Sequence, residues 1–405
     1  VDTDYVVTPI AATIDLDRAA ADLWDVIVIG AGPAGASVAR LLAVEGRTVL
    51  LVERKAFPRD KVCGGCLNHH AVAMLARSGV DHELRAQGAQ TLTAIHLHSG
   101  GRRAMLALPP GLAVTRATLD AVLVRRSIAA GCAFLPEVTA SVTGDGDTDA
   151  QPGPVRHVTL EQGGRARVCV TTRVVVIAGG LGHQALRDVP SMHLVVDDGA
   201  RVGVGAVVES DVVDVAGGVV TMATGRGGYV GVTRVEGGRV NLAAALDVDG
   251  LKAAGGPAAA VRAILASARI EAGKGLDAVT WQGTVPMTRR LSTPAAHRIF
   301  VLGDAAGYVE PFTGEGMAWA LSASDALAPM VMRGLSIWNS DLERQWQGRY
   351  GTLVKDQQRR CRAVARVLRH PAVAHLMVAT LSRYPGLADV LMPGLTRHAA
   401  HEERA

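Results

Sequence analysis

The chain has 405 residues, 49% of them hydrophobic, and a net charge of +4. That length suits two or three domains, each with its own core, and the charge is too small to argue for nucleic acid. Aromatic residues, at 3%, leave few rings on which bases could stack. No uninterrupted apolar run of about 18 residues occurs, so no membrane-spanning helix is expected. Asp2, Asp4, Asp15 and Asp17 stand where a secretory signal would carry basic residues. Five cysteines, three of them scattered, make no disulfide framework, and a reducing cytoplasmic setting is expected.

Residues 1–23 read as an N-terminal extension. The β-branched run from Asp25 to Gly30 has the pattern of a buried parallel strand. Pro33 to Val44 reads as a helix, and Thr48 to Val52 as a second buried strand closed by Glu53, completing one βαβ unit. Short strands are expected at Ala94 to His98 and Ala104 to Leu108, and a helix at Thr118 to Ala130. Gly144 to Gly153 is acidic and glycine-rich, the composition of a loose hairpin tip. Val174 to Ala178 is another fully apolar strand. Val202 to Glu209, Val219 to Ala223, Tyr229 to Val235 and Arg239 to Leu246, several separated by glycine-rich turns, suggest an antiparallel meander. From Asp304 onward the chain reads as mostly helical, and no internal repeat is found.

The expected class is therefore α/β. A discontinuous Rossmann-type nucleotide-binding domain (24–90, 111–187 and 285–335) would carry an inserted antiparallel substrate-binding sheet (91–110 and 188–284). A helical region, 336–405, would close the chain.

Two motifs carry the chemistry. Gly30-Ala31-Gly32-Pro33-Ala34-Gly35 is GxGxxG between a strand and a helix. The first glycine permits a tight turn, the second lets backbone approach a pyrophosphate, and the third lets helix and strand pack closely. Glu53, at the end of the second strand, can accept from both ribose hydroxyls. At "RIFVLGDAAGYVEPFTGEGM", a β-run delivers Gly303-Asp304, and a loop with Pro311, Gly314 and Gly316 opens a helix near Met317. An Asp there can bond a ribityl or ribose hydroxyl, and glycines before a helix can aim N–H groups at an electron-rich ring edge.

With Glu53-Arg54 and "VTRATLDAVL" added, the stretch from about Trp24 to Met330 resembles the FAD-dependent oxidoreductases of the p-hydroxybenzoate hydroxylase and geranylgeranyl reductase superfamily. The resemblance implies non-covalent FAD, its adenosine and pyrophosphate held by the glycine motif. It implies Arg116 near the flavin and phosphates, Asp304 on the ribityl chain, and main chain near Val138 against adenine. The P-x-x-G-x-G loop would cover the pyrimidine end of the ring. Ala178-Gly179-Gly180 replaces the family's alanine-aspartate-glycine triplet, removing a carboxylate linked to flavin and reduced-nicotinamide contacts. NADPH or NADH is expected as a transient electron donor.

Cys63-Gly64-Gly65-Cys66 resembles the loop that passes beside the isoalloxazine in the reductase branch, with Lys61 able to reach a phosphate. CxxC can also be a redox dithiol, but no second nicotinamide-binding glycine motif accompanies it. No metal is expected, since no second CxxC or matched His pair follows. Cys66 and His69 are the candidate catalytic groups, while Tyr229 and Met222 are the candidates on the substrate side. P-loop, GxSxG and HExxH patterns are absent, as is the W-x-W-x-I-P motif of the halogenase branch. Lys355 to His370 carries six Lys/Arg in sixteen residues, with Cys361, Val364 and Leu368 at helical spacing. It is a solvated helix face or a contact for a carrier protein or an anionic membrane surface.

The expected activity is a monooxygenase acting through a flavin hydroperoxide on a hydrophobic aromatic or lipid-like molecule. Reduction of an isoprenoid or lipid C=C bond is the alternative. A flavoprotein that matures or modifies a protein partner is the third.

Overall fold

The computed structural model describes residues 8–143, 155–164, 167–310, 314–367 and 369–388. The glycine-rich segment 144–153, Pro311 and Leu368 lie outside them, as does the side chain of Val364. Three sheets organise the chain. The first has Leu23–Ile29 at its heart, flanked in parallel by Val49–Val52 and Val168–Ile177, with Ala133–Leu135 and Ile299–Val301 further out. These strands read as continuous apolar runs because both faces are covered, and Val49–Val52 is buried at every position. A hairpin, Thr139–Val142 with Arg156–Glu161, adds an antiparallel flank beside Val168–Ile177.

Helix Pro33–Val44 lies between helices Arg116–Ala129 and Gly316–Ser336. Its first turns are Ala34, Gly35 and Ala36, small enough for close approach. Ser127 donates to the Ala36 carbonyl and Ser324 to the Ala34 carbonyl, each at 2.8 Å and each fully buried. Both hydroxyls also bond a carbonyl four residues back in their own helices, so neither is left unsatisfied.

The second sheet has eight strands in the order Gln282–Gly283, Val202–Val208, Val240–Leu246, Gly228–Arg234, Val219–Gly225, Gln90–Ser99, Arg102–Ala113 and Cys66–Leu67. Its pairings are antiparallel except one, Val219–Gly225 alongside Gln90–Ser99, which is parallel. Parallel neighbours need a long crossover, and the chain supplies it by returning through the first sheet between them. Helix Pro371–Arg383 covers strands Gln90–Ser99 and Arg102–Ala113, presenting Ala374, Val378 and Leu381 at helical spacing. A third, small antiparallel sheet of Leu194–Val196, Arg289–Leu291 and Gly307–Tyr308 was not anticipated. Strands of two or three residues carry too little periodicity to be read from sequence.

One buried carboxylate ties the second sheet to helix Arg116–Ala129. Glu236, fully buried in the turn after Gly228–Arg234, accepts from the Thr115 amide at 3.0 Å and the Thr118 hydroxyl at 2.6 Å. It also accepts from the Thr115 hydroxyl, which itself caps the helix by taking the Thr118 N–H.

The C-terminal region docks through Trp346, which is fully buried, donates to the Val301 carbonyl at 3.0 Å, and packs on Phe300 and Tyr350. Trp346→Ala should cost about 3–5 kcal/mol through the cavity it leaves. Chemical denaturation of the variant beside the parent chain measures that loss.

Candidate functional site

The turn after Leu23–Ile29 is set by backbone contact. Gly30 has φ +105°, and a Cβ there would sit 2.5 Å from the Ala178 carbonyl oxygen. A Cβ on Gly35 would sit 1.8 Å from the Gly30 carbonyl oxygen. Gly32 is different, because no backbone crowds it. The guanidinium ends of Arg116 and Arg59 approach its Cβ position at 3.4 and 3.7 Å. Helix Pro33–Val44 starts there with no side-chain cap, so its leading N–H groups stay available to an anion.

Beside this turn runs a chain of alternating buried charges. Glu53 accepts from the Ala31 amide (3.1 Å) and the Lys55 amide (3.2 Å) and pairs with Arg59 (3.3 Å). Arg59 pairs in turn with Asp120 (3.0 Å), which is fully buried and takes a two-pronged bond from Arg116 (2.8 and 2.7 Å). Burial disfavours the Arg116 cation, but Asp120 more than offsets this and holds its pKa above the ordinary range. Cys63 and Asp304 act in the same direction, which places both near this guanidinium. Arg54 is exposed, and Arg59 is the arginine that turns inward. Sequence reasoning missed Arg59 and Asp120, although Asp120 stands four residues after Arg116, the spacing of a helix ion pair. Val138 is buried and donates its N–H to the Glu53 carbonyl at 3.0 Å, so its main chain lies next to the acid's strand end.

The opposite rim comes from the end of Ile299–Val301. Gly303, at φ +63°, leaves only 3.1 Å between its would-be Cβ and that of Ala34, bringing this strand end to the first turn of the nucleotide helix. Asp304 follows and pairs with Lys61 at 3.3 Å. Lys61 also reaches within 3.0 Å of the Cβ position of Gly180, where φ is +70°. Gly314 packs against Cys66, and Gly316 and the buried Met317 open the helix behind it. The loops of both motifs and the cysteine loop thus meet at one place.

Within the cysteine loop the sulfurs are engaged locally. The Gly65 N–H donates to Cys63 Sγ at 3.5 Å, and the Asn241 amide donates to the Cys63 carbonyl at 2.9 Å. Cys66 Sγ donates to the Gly64 carbonyl at 3.2 Å and lies 3.6 Å from the Thr233 hydroxyl. Burial pushes the Cys66 thiol up to about 12, so it stays protonated at neutral pH, unlike an activated thiolate. Gly65 has φ +69°, and a Cβ there would meet the Val114 carbonyl at 3.0 Å. Gly64 has open space around its Cβ position. His69 is half-buried at the start of helix His69–Ala76, which Asn68 caps.

On the second sheet, Tyr229 and Met222 are both buried, and the Arg201 guanidinium lies 5.7 Å over the tyrosine ring. Arg201 is itself buried between Asp247 (2.9 Å) and Glu310 (3.3 Å). Burial raises the Glu310 carboxyl, against the pull of Arg201, and its Oε2 has no hydrogen-bond partner among the described residues. Neither Arg201 nor Glu310 was foreseen, because their pairing joins positions 109 residues apart that no sequence spacing marks. Tyr229 and Met222 belong to one apolar cluster with Leu97 and Met287, and Cys66, Leu181 and Tyr308 pack against it.

These residues fit FAD. Gly32 leaves a cradle that a side chain would fill, the helix start and Arg116 suit its phosphates, and Glu53 and Asp304 are placed for its hydroxyls. Glu53→Gln keeps the size but removes a charge worth about 1.5–3 kcal/mol per hydrogen bond. FAD affinity should fall roughly ten- to a hundredfold, read by flavin fluorescence titration. Gly65→Val, forced to positive φ against Val114, should reduce flavin occupancy well below that of Gly64→Val. Cys66→Ser should retain FAD and turnover. Cys63→Ser and Cys66→Ser variants that both bind FAD fully yet are inactive would instead support a redox dithiol.

Residues 24–152 match the family model of the FAD binding domain. The menaquinone reductase of Mycolicibacterium smegmatis is 52% identical over 56 residues, 14% of each chain. Squalene epoxidase 4 of Arabidopsis thaliana is 35% identical over 103 residues, 24% of this chain and 20% of that one. The matched stretches thus span a fifth or less of these relatives' lengths. Among solved structures, the flavin-dependent brominase Bmp2 superposes with a TM-score of 0.71 over 91% of this chain and 92% of its own, at 16% identity. That likeness is one of fold. The chain thus carries an FAD-binding domain over residues 24–152, within a fold like that of a flavin-dependent brominase.

Proposed function

We propose that the protein is an FAD-dependent monooxygenase acting on a hydrophobic aromatic or lipid-like small molecule, with NADPH or NADH as transient electron donor. One observation carries this reading. The apolar cluster of the second sheet reaches the flavin-side loops at Cys66, Leu181 and Tyr308, so an apolar substrate meets apolar side chains up to the cofactor site. When bound, FAD supplies the redox chemistry.

The chain's own residues do the rest. The start of helix Pro33–Val44, with Arg116 beside it, binds phosphate charge, and Asp120 orients the arginine. Asp304, positioned by its ion pair with Lys61, would accept from the ribityl hydroxyls. Helix Pro371–Arg383 keeps water from the sheet face under Ala374, Val378 and Leu381. Glu310 holds a proton on its carboxyl to a higher pH than an exposed glutamate, beside Arg201 and near Tyr229. The squalene epoxidase match supports oxygen insertion into an apolar molecule.

A second reading, reduction of a C=C bond in a lipid-like molecule, is favoured by the stretch 52% identical to a menaquinone reductase. It is also favoured by Glu310, a buried carboxyl whose pKa burial raises, as a candidate proton donor.

The FAD-loaded protein, given NADPH, isotopically heavy oxygen and a panel of hydrophobic aromatics and polyenes, should place heavy oxygen in its product. Mass spectrometry reads the outcome. A saturated product without heavy oxygen would replace the oxygenase reading with the reductase one.

A further inference from the structure

A cleft of about 470 Å³ opens between the small sheet and the helix Asp356–Val367. Arg290 lines it from the sheet, and Lys355, Arg359 and Arg362 line it from the helical side; no lining residue is acidic. Arg359 is held by Asp356 at 2.8 Å. Arg290, Lys355 and Arg362 pair with no carboxylate among the described residues, and Arg362 Nε is buried without a hydrogen-bond partner. Gathering like charges around one cavity raises its positive potential, which favours an anion there.

We propose that this cleft is a second anion site, built for a phosphate-bearing organic ligand. Guanidinium forks match phosphate oxygens in pairs, and the cleft offers them beside a lysine. Its volume lies within the range of small-molecule sites. Being concave, it suits a small ligand better than a flat membrane surface would. Val195, Leu291 and Ala306 give the ligand an apolar side to lie against. The site shares no residue with the glycine turn at Gly30–Gly35. It does border the cofactor loop, because Gln358 lines the cleft and donates to the Gly307 carbonyl at 3.1 Å, three residues after Asp304.

The inference does not depend on which reaction the flavin serves. FAD-loaded full-length protein, its dinucleotide site filled, should be titrated calorimetrically with inorganic pyrophosphate at low salt. Binding is expected, weakened about tenfold by Arg290→Gln or Lys355→Gln and further by the pair. Arg344→Gln, an exposed arginine outside the cleft, should leave it unchanged. Arg290 is exposed and Lys355 half-buried, so these variants should keep the parent melting temperature, and the FAD content should not change. ADP-ribose and farnesyl diphosphate then separate the sources: the tighter of the two shows whether a nucleotide or a phosphorylated lipid supplies the phosphate. Absence of pyrophosphate binding up to millimolar concentration, or binding indifferent to both substitutions, would overturn the proposal.

Discussion

The structure depends on how closely one helix can approach one strand. With 1.8 Å between a would-be Cβ at Gly35 and the Gly30 carbonyl, any other residue there forces helix Pro33–Val44 outward. That helix is also the surface on which Ser127 and Ser324 seat the two helices beside it, through carbonyls of its first turns. Gly303 approaches the same turn at Ala34, so the distant Asp304 is located by the same contact. Glycine's lack of a side chain, usually an entropic cost, is here what brings three separate stretches of chain to one point.

Around that point the protein keeps four charges out of water. A buried ion pair gains stability only when its geometry is good and its remaining hydrogen bonds are met. Glu53 meets this condition with two backbone amides, and Asp120 with the Arg116 fork and Arg59. The result is a nearly neutral frame beside an uncapped helix start. Arg201 and Glu310 follow the same logic at the second sheet, and among the described residues each network leaves one buried atom without a partner, Arg59 Nε in the first and Glu310 Oε2 in the second.

Much of this was legible where a repeat or a glycine spacing marks it. Helix Pro33–Val44 is bounded as its pattern predicts, by Pro at the first helical position and a β-branched strand after it. The meander strands appear because glycine turns separate apolar runs, and several extend further than predicted, Arg102–Ala113 most of all. The inward role of Arg59 was hidden, since it depends on the fold of the loop after Glu53, and a single arginine has no period. The two-residue strand Cys66–Leu67 and the small sheet were hidden for the same reason. Tertiary contact makes them strands, and propensity does not.

The Glu236 cap has a consequence for cooperativity. Strand Arg102–Ala113 runs, after a single linking residue, into the Thr115 cap of the helix that begins with Arg116. Opening the second sheet while the first stays folded would tear three donors from a buried carboxylate and pull on the backbone leading to Arg116. The two sheets are therefore locked by one charge into a single melting unit. Strain arriving at the second sheet is felt, through a few bonds of main chain, by Arg116 beside the glycine turn.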